Sequence, residues 1–252
     1  MSEQGYRPQD DLDIGEVVST TLKLATSNFA HYFLLCILLL GIPTFVFNAF
    51  VFSDRFYAFG IFSSLGSALI YSIFSLVLQA SITHSAVEEL NLKKVTVKGS
   101  VSAAISYLLP LIFLSILMGL GVGIGFILLI VPGVFLSIIW VACVPALISE
   151  RIGVFEAFGR SVRLTEGQRW RILALVLIVL VIGTIVNFVL GLLTSSIFYT
   201  ASYSPSLMII LMEAIGGVIT AMAGSIGSAV LYTRLRQIKD GVDVSQISKV
   251  FE

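Results

Sequence analysis

The chain has 252 residues, 57% of them hydrophobic and only 12% charged, with a net charge of zero and a mean hydropathy of +1.02. Soluble domains carry about 25% charged residues, so a fully water-exposed surface is excluded and lipid is the expected main solvent. Zero net charge leaves no global basic field for nucleic acid, and no polar segment reaches the ~50 residues of an independent soluble domain.

Met1 to Asp13 is polar and acidic rather than a basic lead into a short apolar core, so no cleaved signal peptide is expected. Asp13 to Phe29 reads as an amphipathic helix. Ile14, Val17, Val18, Leu22, Ala25 and Phe29 recur at 3/4 spacing, and Asp13 can cap the start. Apolar runs follow at Phe29–Phe52 and Ile61–Thr83, each long enough for the ~20 residues a bilayer span needs. Asn91 to Ser106 is a second polar lead-in.

The stretch from Ile105 to Ser149 holds 45 residues without a charge, which predicts two spans, Ile105–Ile130 and the weaker Val134–Ser149. Either the glycine run Gly119, Gly121, Gly123, Gly125 or Pro132-Gly133 can make the turn between them. Gly153 to Thr165 is again amphipathic, with Val154, Phe155, Phe158, Val162 and Leu164 apolar and Glu156 four residues before Arg160; Gly167 offers a stop. Runs at Ile172–Ile197 and Leu207–Tyr232 complete the set, and 233–252 is a short polar tail.

The 15 basic residues orient the spans. Arg7 and Lys23 precede the first; Lys93, Lys94 and Lys98 lie between the second and third; Arg151, Arg160, Arg163, Arg169 and Arg171 lie between the fourth and fifth; Arg234, Arg236, Lys239 and Lys249 follow the sixth. Arg55 alone falls in the alternate segments. Because Lys and Arg accumulate on the cytoplasmic side, the expectation is an all-α integral membrane protein: one polytopic domain of six spans with both termini in the cytoplasm. Its plan is three helical hairpins, each led in by an amphipathic helix at the cytoplasmic interface. The first and third lead-ins match at an offset of 140, Glu16 with Glu156 and Lys23 with Arg163, whereas the middle one rests on layout alone. In the last span Gly216, Thr220, Gly224 and Ser228 form one small-residue row, and Gly217, Ala221, Ser225 and Ala229 another. Such rows let helix backbones approach closely, which predicts a central position for this span, with Gly224 in a close contact.

Signs of chemistry are sparse. Cys36 and Cys143 lie in apolar runs and read as buried thiols. His31 and His84 stand at span ends, where a half-wet ring is the ordinary reading. No cluster has metal-ligand spacing and no phosphate-loop, zinc-protease or serine-nucleophile motif appears. Neither a metal nor a cofactor is expected, nor is the chain expected to be an enzyme. Glu213, Asn187 and Gln79 are the intramembrane polar candidates. Arg160, Arg163, Arg169 and Arg171 are candidates for anionic lipid headgroups, since guanidinium forks bind phosphate bidentately; the same residues also serve as topology signals.

One stretch carries a likeness. Pro132-Gly133, Trp140, Pro145, Glu150, Glu156-Ala157, Arg160-Ser161, Leu164-Thr165, Gly167 and Arg169-Trp170, together with the tail from Tyr232 to Phe251, resemble the YciC-like inner-membrane proteins. That family is related to the membrane domain attached to some bacterial glycerophosphodiester phosphodiesterases, whose catalytic domain is absent here. The resemblance implies six spans in the cytoplasmic membrane of a prokaryote and no defined chemistry. The expected role is interaction with membrane lipids or a membrane partner, a second copy of the chain included, in envelope maintenance. Two alternatives stand beside it: a small transporter or channel for a lipid-like solute, and an accessory subunit of a membrane complex.

Overall fold

The computed structural model describes residues 11–51, 60–90, 95–200 and 207–241, and their side chains except at 47–51, 60–70, 194–200 and 207–215. Arg7, Arg55, Lys93, Lys94, Lys249 and the side chain of Glu213 lie outside it. The described chain is helical, with no strand among the described residues.

Helix α1 (Ile14–Ser27) opens on Asp13, whose carboxylate accepts from Gly15 N at 2.8 Å and Glu16 N at 3.3 Å, the cap that the sequence indicates. Asn28 interrupts the helix, and α2 (Phe29–Cys36) runs through a π turn at Ile37–Gly41 into α3 (Ile42–Val51). Pro43 explains the π turn, because its ring clashes with the carbonyl four residues back and it offers no N–H. The Thr44 hydroxyl donates to Leu40 O at 2.6 Å and to Gly41 O at 3.1 Å, so carbonyls near the irregular turn are satisfied inside an apolar stretch.

Next come α4 (Gly60–Leu90), with 31 residues, and α5 (Val97–Ser106), capped by Thr96. Tyr107 separates α5 from α6 (Leu108–Leu128); α7 (Ile130–Ile139) and α8 (Cys143–Glu150) follow. The last three are α9 (Val154–Thr165), α10 (Arg169–Thr200) and α11 (Leu207–Asp240). Five helical stretches are long and apolar enough to cross a membrane: Phe29–Val46, Leu108–Leu128, Ile130–Glu150, Arg169–Leu193 and Gly216–Asp240. These define a multi-pass membrane protein. Helix α11 continues two turns beyond the expected end at Tyr232.

The turn between α6 and α7 falls at neither expected place. One extended residue, Leu129 (φ −162°, ψ 152°), makes it. The glycines serve packing instead: a Cβ on Gly125 would stand 2.9 Å from Gly133 Cα, and one on Gly121 2.5 Å from the Trp140 ring. Pro132 is the third residue of α7, as Pro110 is of α6 and Pro145 of α8, first-turn positions whose N–H has no helical acceptor in any case.

The weak fourth run is a broken helix. Its interruption at 140–142 is repaired by α9, where buried Ser161 donates to Ile139 O at 2.7 Å and accepts from Ala142 N at 3.2 Å. Trp140 packs edge-on against Phe158, centroids 4.9 Å apart. Irregular backbone within an apolar span is tolerable where protein covers it, and here it does.

Half of Ile130–Glu150 and half of Gly216–Asp240 are buried, against 11% of Arg169–Leu193. Helices α7, α8 and α11 are therefore central and α10 peripheral. Of the two small-residue rows of α11, the second turns inward, with Ser225 and Ala229 buried beside Val218, Met222 and Ile226 and with Gly217 and Ala221 half-buried; in the first, Gly216 is buried, but Thr220 and Gly224 are exposed and nothing lies within 4 Å of a Cβ on Gly224. Helix α1 packs on α11, with Val17 and Leu24 buried, so protein rather than the acyl boundary covers that face. Phe155 on α9 and Trp170 at the start of α10 stand exposed, the latter an amphipathic ring of the kind found at membrane interfaces.

A polar cleft where four helices end

The structure does not gather the four candidate arginines into one site. Arg160 Nε donates to Glu150 Oε1 at 2.8 Å and Oε2 at 2.9 Å, and its two Nη groups grip both oxygens of Asp240. Tyr232 OH donates to Glu150 Oε1 at 2.9 Å. The pairing with Asp240, helped by Glu150, holds the Arg160 guanidinium charged, its pKa raised further above an already high value. With 17% of its side chain exposed and both carboxylates in place, Arg160 is committed within the protein. Glu156 does not pair with it, but accepts from Gly153 N at 3.1 Å at the start of its own helix. Arg163 is exposed and has no carboxylate partner among the described residues. Arg169 stacks over the Phe135 ring at 5.1 Å, and Arg171 binds Asp11 at 2.7 Å and Leu12 O at 3.1 Å.

Of the intramembrane candidates, the side chain of Glu213 lies outside the described residues. Asn187 is exposed and donates to Gly183 O of its own helix at 2.8 Å. Gln79 is half-buried on α4. Among the described residues no group of three His, Cys, Asp or Glu could hold a metal ion, and both cysteines are buried free thiols.

Polar groups converge instead where α4, α5, α8 and α11 end. A cleft of about 510 Å³ opens there, and eight of its eleven lining residues are polar. Helix α4 contributes His84 and Glu88, one turn apart; α5 contributes Ser102 and Ser106, also one turn apart, and Tyr107 follows at its end. The i,i+4 spacing puts each pair on one helix face. Ser149 and Arg151 come from the end of α8, and Arg236 from α11. Ser149 Oγ is buried with no hydrogen-bond partner among the described residues. His84 and Glu88 already interact with other groups. Arg236 Nε lies 3.9 Å from Glu150 and 3.6 Å from Asp240 without a hydrogen bond to either. Arg151 has φ 54° and ψ 39°, the one non-glycine residue with positive φ among those described.

Beside the cleft, Ser85 and Ser100 share a hydrogen bond of 2.6 Å, joining α4 to α5, and His31 Nε2 meets Ser85 Oγ at 3.1 Å. Glu89 accepts from Ser27, Asn28 and Tyr32 at 3.0, 2.6 and 2.7 Å, fastening the α1–α2 junction to α4. Sequence reasoning missed the cleft because its residues span His84 to Arg236. One local signal was present: Arg151 follows the last residue of α8, where glycine is usual.

Comparison of the chain with protein-family models, curated proteins and solved structures finds no match.

Proposed function

We propose that this is a six-span, non-enzymatic protein of a prokaryotic cytoplasmic membrane, with both termini in the cytoplasm, that holds an anionic lipid headgroup in the cleft between α4, α5, α8 and α11. The sixth span is α4, and the hairpins are then α2/α3 with α4, α6 with α7/α8, and α10 with α11. The alternation of basic residues supports the orientation, and the likeness to the YciC-like proteins supports the location. The observation that carries the headgroup reading is the cleft itself: Arg151 and Arg236 line it together with four hydroxyl-bearing residues. It lies at the helix ends that the basic residues assign to the cytoplasmic face. Basic groups near an anionic leaflet contribute about 1 kcal/mol each, and guanidiniums match phosphate geometry.

Two measurements test this. Single cysteines at positions 163 and 204, probed with an impermeant thiol reagent in sealed cells, should label from outside only at 204; external labelling at 163 overturns the topology. Native mass spectrometry of the purified protein should show anionic lipid retained in preference to zwitterionic lipid, and no such preference would overturn the headgroup reading.

A further inference from the structure

Resting on that reading, we infer that the cleft selects a phosphate ester bearing free hydroxyl groups, a polyol-phosphate headgroup, and that Arg151 anchors its phosphate. The argument begins with the backbone. Arg151 sits just past α8 at φ 54°, a conformation that L side chains adopt reluctantly and that glycine takes without cost. The fold would be served better by glycine there, and the Arg151 side chain makes no hydrogen bond or ion pair among the described residues. Arg151 does line the cleft. Strain kept at such a position points to a use for the side chain.

The lining then selects the ligand. Among the described lining residues Glu88 is the single carboxylate, and it already interacts with another group; Arg236 is paired with Glu150 and Asp240 at 3.9 and 3.6 Å, so it is the unpaired charge of Arg151 that makes the cleft favour an anion. One carboxylate against two guanidiniums in the lining disfavours a headgroup whose distinguishing group is an ammonium. A quaternary ammonium is recognised by several aromatic faces, and Tyr107 is the only carbocyclic aromatic in the lining. The remaining polar lining is His84, which already interacts with another group, and four hydroxyls: Ser102, Ser106, Ser149 and Tyr107. Hydroxyls can both donate and accept, which matches ligand hydroxyls that do the same; Ser106, whose proton goes to Ala103 O at 2.7 Å, is left as an acceptor. Ser149 Oγ, buried and unpartnered, lacks such a mate among the described residues. The volume, about 510 Å³, falls in the range of about 300–1,000 Å³ common for small-molecule sites. The exposed apolar residues Ile105 and Leu109, flanking Ser106 and Tyr107, give acyl chains a surface beside the cleft mouth.

The test uses the full chain in detergent, with phosphatidylglycerol, phosphatidic acid and phosphatidylcholine supplied separately and binding read by native mass spectrometry. Phosphatidylglycerol should bind most tightly, about tenfold better than phosphatidic acid, as expected for added hydrogen bonds in a desolvated site. Arg151→Gly should keep or raise the melting temperature of the unliganded protein while weakening phosphatidylglycerol at least about tenfold, the scale of a lost charge-assisted contact; Arg151→Lys should restore part of the loss. The double variant Ser102→Ala/Ser106→Ala should reduce phosphatidylglycerol to the level of phosphatidic acid. Soluble glycerol 1-phosphate separates the sources of the group. Displacement of phosphatidylglycerol at similar concentration identifies the free ester as sufficient, and no displacement identifies the lipid; both outcomes support the polyol-phosphate chemistry. Equal binding of phosphatidylglycerol and phosphatidic acid by the wild type overturns this inference but leaves the anionic-headgroup reading standing. Undiminished binding by Arg151→Gly overturns the anchor. Binding of neither anionic lipid overturns both readings.

Discussion

Replacing Gly125 by alanine should destabilise the protein, and replacing Gly224 should not, although both glycines lie in glycine-rich apolar helices. The new Cβ at position 125 would stand 2.9 Å from Gly133 Cα and 3.0 Å from its nitrogen. Carbon atoms rest at about 3.5–4.0 Å, and the obstacle is backbone, so no rotamer change can relieve it. Helices α6 and α7 must part by several tenths of an ångström or more, loosening the Gly121–Trp140 and Gly133–Phe126 contacts in the same seam. Overpacking of this kind costs about 1–3 kcal/mol. At position 224 nothing lies within 4 Å, and alanine improves helix propensity by up to ~1 kcal/mol. For a chain of this size 1 kcal/mol moves the melting temperature by about 2–4 °C. Gly125→Ala should therefore lower it by roughly 3–10 °C in detergent, while Gly224→Ala leaves it level or slightly higher. Equal losses would refute the packing argument, and a larger loss at 224 would mean that another helix covers that face of α11 in the membrane.

Two further substitutions test how the helix ends are held. Arg160→Gln should cost about 1.5–3 kcal/mol in a denaturant titration, because it leaves Glu150, 17% exposed, with Tyr232 OH as its hydrogen-bond donor and without its bidentate cation, whereas Arg163→Gln should stay within about 0.5 kcal/mol; indistinguishable midpoints would show that the Glu150–Arg160–Asp240 network adds nothing. Ser161→Ala should cost about 1–3 kcal/mol by leaving Ala142 N and Ile139 O buried without their partner, and Ser161→Thr should recover part of that loss. A neutral alanine variant would mean that the break between α7 and α8 is satisfied by other means.

Features fixed by near neighbours were legible in the sequence. The Asp13 cap needs only Gly15 and Glu16, and the 3/4 spacing of Val17 and Leu24 needs only the helix itself. Where two physical uses compete for one residue type, the sequence leaves the choice open. Glycine permits a turn, a close helix contact or nothing in particular, and Gly125, Gly133 and Gly224 look alike until neighbouring helices are placed. Arg160 shows the same limit for charge. Glu156 is the visible local partner, but it stands in the first turn of α9, where the free Gly153 N–H competes for its carboxylate. The partner that binds Arg160 most extensively besides Glu150 is Asp240, 80 residues away, on two helical turns of α11 that the hydropathy pattern assigned to a tail.

The three lead-in helices are held unequally, and the inequality falls where the cleft lies. Helix α1 is tied by Glu16 to Arg234 at 2.6 Å, and the chain just before it by Asp11 to Arg171 at 2.7 Å. Helix α9 is tied by Arg160 to two carboxylates on α8 and α11. Helix α5, among the described residues, carries no ion pair, and its side-chain hydrogen bond to a neighbouring helix is the neutral Ser85–Ser100 bond. A neutral hydrogen bond contributes about half as much as a charge-assisted one, so α5 is the lead-in with the least electrostatic restraint. It is also the one that presents Ser102 and Ser106 to the cleft, while the opposite wall, Arg151 and Arg236, belongs to helices fixed in the core. A rigid cationic wall facing a lightly held hydroxyl wall suits a ligand with a phosphate at one end and hydroxyls at the other: the first fixes position, and the second adjusts to what the phosphate carries.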